Sequence, residues 1–256
     1  MTVTFKAEDG IAIVTIDRPE RRNAVDAATA QHLAAAFRQF DQDPNLDVAI
    51  LTGKGEHFCA GADLKAFAAG DRRKITDSGD GPMGPTRLRL SKPVIAAIEG
   101  YAVAGGCELA LWCDLRVASQ SAIFGIFCRR FGVPLIDLGT IRLPRLIGHS
   151  RAMDLILTGR EVRAQEALDI GLANRIAPAG SALAAALELA KQIGSFPQTC
   201  LRNDRLAALE QWGMSEEDAM RNELRRGLAT IESGESAAGA QAFSGGAGRH
   251  GSQRTP

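Results

Sequence analysis

The chain has 256 residues, enough for one large domain or one domain with a smaller appendage, and 45% are hydrophobic, enough to bury a sizeable core. Lys plus Arg is 30 and Asp plus Glu is 30, so no global field draws nucleic acid or anionic lipid, and an anionic ligand needs a local cluster. Five cysteines without a Cys-x-x-Cys, four histidines in no zinc spacing, no apolar leader in residues 1–10 and no long apolar run point to a metal-free, cytoplasmic chain with no membrane span.

Residues 11–16 (IAIVTI) are β-branched and continuous, which predicts a buried strand. A polar loop follows through Asn23, and Asp26 caps a predicted helix with Leu33, Phe37 and Phe40 on one face. Residues 48–52 (VAILT) predict a second buried strand. A small-residue loop, 58–63, then opens towards a helix, and residues 70–85 read as a mobile loop rich in glycine and charge. Residues 94–98 predict another strand, 100–106 a small-residue tract, 107–113 a short helix and 115–118 a strand. Helices are expected from about Ser150, ended by Gly159, and from Arg163, ended by Gly171. From Ser181 onward the pattern is helical with a break at Phe196-Pro197, and the tail after Ser244 reads as loose. Strands alternating with helices predict an α/β core followed by a helical C-terminal part.

Walker-type, dinucleotide, nucleophile-elbow and His-Glu-x-x-His motifs are all absent from the sequence. Two tracts stand out: Cys59-Ala60-Gly61-Ala62-Asp63 and residues 100–108, GYAVAGGCE. Each follows a predicted strand and leads into a predicted helix. Small side chains let a ligand carbonyl approach the backbone, and helix N-termini offer free N–H groups. Side by side, two such loops make an oxyanion hole without any side chain. Ordinary turn glycines and tight strand–helix packing explain either loop equally well when it is taken alone.

The motifs also share an order. Asp17-Arg18-Pro19-Glu20-Arg21-Arg22-Asn23-Ala24-Val25 comes first, then Phe58-Cys59-Ala60-Gly61-Ala62-Asp63-Leu64, then residues 92–102, KPVIAAIEGYA. Gly105-Gly106-Cys107-Glu108, Cys113-Asp114, Leu157-Thr158-Gly159 and Ala164-Gln165-Glu166-Ala167 follow. Over residues 10–175 the chain resembles the crotonase superfamily of enoyl-CoA hydratases and isomerases. The resemblance implies a spiral of repeated ββα units over 1–195, and a helical oligomerisation region over 196–256 that builds a homotrimer or a dimer of trimers. It implies an acyl-CoA thioester substrate, as in fatty acid metabolism, with coenzyme A part of the substrate and no separate cofactor. It further implies that the backbone N–H groups of Ala60 and Gly105 form the oxyanion hole. Ala24, Ala62, Asp63 and Leu64 are implied to line the coenzyme A channel.

Hydratases of this family use two glutamates. Glu108 stands at the first position, and Cys128, in the tract FGIFCRR, stands where the second is expected. A thiol with a reference pKa of about 8.5 replaces a carboxylate poorly. Asp137, in the apolar stretch PLIDLGT, matches the placement of a catalytic acid in dienoyl-CoA isomerases of the superfamily. It reads either as that acid or as a cap or partner of Arg142 or Arg145. Glu108 is read as catalytic rather than as a helix-surface acid, Cys128 as a small buried residue in the wall, and His57 as exposed and inert. Arg18, Arg21 and Arg22 reach either the coenzyme's phosphates or Asp17 and Glu20. Two functions compete: an enoyl-CoA hydratase (a lyase) or enoyl/dienoyl-CoA isomerase, and a thioester-binding protein that kept the fold and lost the chemistry.

Overall fold

The continuous apolar runs of the sequence become the inner strands. In the computed structural model, which describes residues 2–71 and 75–248, β1 (Val3–Glu8) pairs antiparallel with β2 (Ile11–Ile16). β3 (Val48–Gly53), β4 (Val94–Ile98), β6 (Leu115–Ser119) and β9 (Arg175–Ala177) then join in parallel, in the order β1-β2-β3-β4-β6-β9. β4 is buried along its whole length, as expected of a central parallel strand covered on both faces.

The two faces separate by the period of two. Leu51, Ala96 and Ala118 point towards α1 (Ala27–Gln42), whose Leu33, Phe37 and Phe40 are fully buried against them. Ile50, Ile95 and Val117 point the other way, onto Ala182, Ala186 and Leu189 of α7 (Ala182–Gly194). Asp26 caps α1 by accepting from the Thr29 N–H at 2.8 Å, as its position predicts.

The chain also forms a second, three-stranded sheet. It comprises β5 (Tyr101–Val103), β7 (Ile123–Gly125) and β8 (Glu161–Arg163), with β5 and β7 parallel. Twice the chain runs from a strand of the large sheet into one of the small sheet, β4 into β5 and β6 into β7, and helices follow each time. α2 (Leu64–Ala68), α3 (Gly105–Trp112), α4 (Gly139–Ile147), α5 (His149–Thr158) and α6 (Ala164–Asp169) lie between successive strands of the chain. α8 (Gln198–Glu210), α9 (Glu216–Glu232) and α10 (Glu235–Ser244) complete ten α-helices among the described residues. The fold is thus mixed α/β with a parallel sheet and a helical C-terminal part.

Two expectations change. The predicted mobile loop is buried over residues 81–86, which pack under α3, while its residues 72–74 lie outside the described ones. Of the tail expected to be loose, residues 245–248 form turns and 249–256 lie outside the described residues. The short strands β5, β7, β8 and β9 have three residues each, too few to show a period.

Candidate active site

The two glycine-rich loops meet because they are zipped together. The Cys59 N–H donates to the Tyr101 carbonyl at 2.8 Å, and the Val103 N–H donates back to the Cys59 carbonyl at 3.1 Å. A methyl group on Gly106 would lie 2.1 Å from the Cys59 carbonyl oxygen, so only glycine permits this approach. Gly61, at φ +95°, packs its backbone against Ala104 and Gly105 in the same way. On its other side, the first loop pairs with Val25: the Val25 N–H donates to Gly61, and the Asp63 N–H donates to Val25, both at 2.8 Å.

That ladder decides which amides face inward. Residues of a strand alternate, so Ala62, between the two bonds to Val25, turns its own N–H the other way, and Ala62 lines the central cavity. The Ala60 N–H instead donates to the Arg22 carbonyl at 3.0 Å. The structure therefore corrects the sequence expectation for the first loop: Ala60 touches the cavity, but its N–H is already engaged. In the second loop, Ala104 adopts φ 53° and ψ −127°, and no side chain caps α3. Gly105 begins that helix at the cavity wall, with its N–H at the positive end of the helix dipole.

Glu108 sits in the first turn of α3 and is only 2% exposed. Its Oε1 accepts from the N–H of Asp137 and from the N–H of Gly139, each at 2.9 Å. Burial, and then the charge of Asp137, raise its pKa to about 7, against the opposing pull of those two amides and of Arg142. Asp137 is also buried. Its Oδ1 accepts from the Met83 N–H at 2.9 Å and from the Thr86 hydroxyl. Asp137 does not cap α4, whose preceding residue is Leu138, but its carbonyl accepts from Arg142.

Glu108, Asp137, Gly105, Ala62, Asp63 and Leu64 thus surround one cavity of about 460 Å³. Its remaining wall is mostly apolar, with Phe67, Ile75, Phe127, Phe131, Val133 and Ile136. Cys128 is in that wall, and burial, followed by the Glu108 carboxylate, pushes its thiol pKa up, so it is a neutral group there. Ala24 does not line this cavity: it is buried beneath the first loop, with its carbonyl accepting from Arg18. Among the described residues, no group of three or more His, Cys, Asp or Glu could hold a metal ion.

Several supporting residues differ from their sequence reading. Arg18 bridges Asp26 at 2.9 Å and Asp63 at 3.0 Å, rather than Asp17 or Glu20, and Asp63 also caps α2 through the Ala66 N–H. His57 is half-buried, not exposed. Its ring lies 4.8 Å from that of Tyr101, and burial lowers its pKa, with Arg22 adding to the effect. Met83 and Thr86 had no sequence signal, because each acts on Asp137 from more than 50 residues away in the chain, whereas Arg142 meets Asp137, as one sequence reading expects, through the Asp137 carbonyl.

The comparisons with known proteins place the fold and the sequence in one family. The family model described as enoyl-CoA hydratase/isomerase matches residues 6–245. The chain is 38% identical over 241 residues to enoyl-CoA hydratase EchA19 of Mycobacterium tuberculosis, covering 90% of this chain and 89% of that one. It is 43% identical over 184 residues to carnitinyl-CoA dehydratase of Proteus mirabilis, covering 71% and 70% of the two chains. The crystal structure of enoyl-CoA hydratase EchA1 from Mycobacterium marinum superposes with a TM-score of 0.90 at 39% identity, covering 95% of each chain. On sequence and on fold, this chain belongs to the enoyl-CoA hydratase/isomerase family.

Proposed function

We propose that this enzyme binds an acyl-CoA thioester and stabilises its enolate, adding or removing water across the bond next to the thioester or moving that double bond. The observation that carries the reading is the convergence of the Ala62 and Gly105 amides and the Glu108 carboxyl on one apolar cavity. The two N–H groups form the oxyanion hole for the thioester carbonyl, with Ala62 taking the place expected of Ala60. Preorganised donors in a dry site are the largest common source of rate acceleration for such chemistry.

Glu108 is suited to moving the proton, because a group with a pKa of about 7 is populated in both its acid and its base form near neutrality. In hydration, a water oxygen bonds to the β carbon while its proton passes to a carboxylate. The electron pair of the double bond moves into the thioester carbonyl oxygen, and the enolate then takes a proton at the α carbon. Asp137 supplies the second carboxyl that this cycle needs, while Cys128 serves only as wall. The same pair supports isomerisation, in which one carboxylate removes a proton from the γ carbon and an acid returns one to the α carbon. The neutral thiol at position 128 favours this second reading. Two buried carboxyl groups facing an acyl cavity argue against a binder without chemistry, since burying them is costly and binding has no use for them.

Ala62, Asp63 and Leu64 line the path of the pantetheine arm, and no separate cofactor is required. We also assign the exposed apolar stripe of α9 to subunit contacts in a trimer or a dimer of trimers. Among the described residues, no helix is long and apolar enough to cross a membrane, and we place the enzyme in the cytoplasm. The test is incubation with a panel of enoyl-, dienoyl- and 3-hydroxyacyl-CoA thioesters in D₂O, with products read by mass spectrometry and NMR. Deuterium at the α carbon of a product supports the enolate. If no thioester of the panel is converted or exchanged, the reading fails.

A further inference from the structure

We propose that Arg142 is a positioning residue for the acid–base pair: its guanidinium locks the segment carrying Asp137 to the segment that holds the Asp137 carboxylate. The inference rests on the reading of Glu108 and Asp137 as the proton-moving pair.

Arg142 lies near the start of α4, where a cation opposes the helix dipole, so helix stability does not explain it. Its Nη2 donates to the Thr86 carbonyl at 2.7 Å and its Nη1 to the Asp137 carbonyl at 3.2 Å. The Thr86 hydroxyl donates in turn to the Asp137 carboxylate. Arg142 therefore closes a ring through Thr86 and Asp137, joining residues 81–87 to the loop before α4. Both of these bonds go to neutral carbonyls, so its charge acts on the carboxylates across the ring, Glu108 and Asp137. A planar fork that spans two carbonyls is specific to arginine; a lysine ammonium is a single point.

The groups facing Glu108 act in opposite directions. The Asp137 carboxylate raises its pKa, whereas Arg142 and the amides of Asp137 and Gly139 lower it. Cys128 faces it from the wall as a neutral thiol, and Arg142 itself is faced by Cys113, at the C-terminal end of α3, and Arg145 of α4. Without the Arg142 charge, burial and Asp137 prevail, and Glu108 retains its proton at neutral pH.

The test uses the full chain carrying Arg142→Gln or Arg142→Lys, without ligand. The Glu108 carboxyl is titrated by infrared difference spectroscopy, with Glu108→Gln identifying its band and circular dichroism confirming the fold. The Arg142→Gln midpoint should rise by on the order of one pH unit. Arg142→Lys should stay near the parent value. On a thioester that the parent converts, both should lose about tenfold or more in turnover, because the lysine restores charge but not the fork. An unchanged midpoint in Arg142→Gln overturns the inference. So does failure of both variants to fold, which makes Arg142 a structural clamp alone. If the parent converts no thioester, the proposed reaction fails, and the titration still decides the inference.

Discussion

The two glycine-rich loops look alike in sequence, and each ends in a helix, yet they contribute to the cavity by different means. The first loop leads into α2, a helix of five residues capped by Asp63. Its end is self-satisfied, and its pairing with Val25 turns the Ala62 N–H away from that strand. The second loop leads into α3, where Ala104 makes no side-chain cap. The helix end stays open, so its first turn presents both an amide and Glu108. The difference teaches that capping and ladder alternation, rather than glycine content, decide which N–H groups of a small-residue loop can reach a ligand.

The sharpest way to break this comparison is on the second loop. Glu108→Gln should lower turnover by about 10²–10⁴-fold while thioester binding persists, as seen by calorimetry beside steady-state kinetics. Retention of parental turnover would remove Glu108 from the chemistry. On the first loop, an amide-to-ester exchange deletes one N–H without touching a side chain. At residue 62 it should cost about 10²–10³-fold in turnover. At residue 60 it should leave turnover near the parent level and cost only about 1 kcal/mol of stability, through the lost bond to Arg22. The opposite pattern would restore Ala60 as the oxyanion donor.

A smaller effect concerns folding and pH. Glu108 keeps its proton in the folded chain up to a pKa of about 7, against 4.5 for an ordinary glutamate. An acid with a raised folded pKa binds more protons when folded, so its contribution to stability falls as pH rises between those two values. That fall is about 3 kcal/mol, and Glu108→Gln should remove it, making the variant more stable than its parent at pH 8 but not at pH 4. Urea unfolding of both proteins across this range checks the sign. The smallest effect is on the first loop's cap. Asp63→Ala should cost about 1–2 kcal/mol in chemical denaturation, from a lost helix cap and a half-buried Arg18 left with one of its two carboxylates, Asp26. Asp63→Asn, which keeps the cap oxygen, should recover part of that.

Much of the architecture was legible because its signals are local. Residues 48–52 and 94–98 are uninterrupted apolar runs and became central parallel strands, and Asp26 announced its helix by its type and place. Glu108 was legible from a motif, and Asp137 from an acid standing in an apolar run. The sequence reading takes Ala60 as a donor to the ligand, yet its N–H is bonded to Arg22, because the direction of each amide in this loop depends on partners such as Arg22 and Val25, more than 35 residues earlier, and spacing within the loop is silent about them. Residues 81–86 read as mobile because glycine and proline dominate them. They are buried because their amide and hydroxyl donors are claimed by Asp137, more than 50 residues away. His57 differs for a similar reason, since Tyr101, 44 residues later in the chain, shields it.

Ala104 carries a consequence for anyone improving this enzyme. Its φ of 53° with ψ of −127° is a conformation that glycine adopts freely and alanine resists. The residue is held there by its neighbours, its own N–H donating to the Gly125 carbonyl at 2.8 Å. Ala104→Gly would relieve the strain in the native chain and at the same time loosen the joint from which Gly105 and Glu108 are aimed. A selection for heat resistance alone and a selection for turnover would therefore pull this one position in opposite directions.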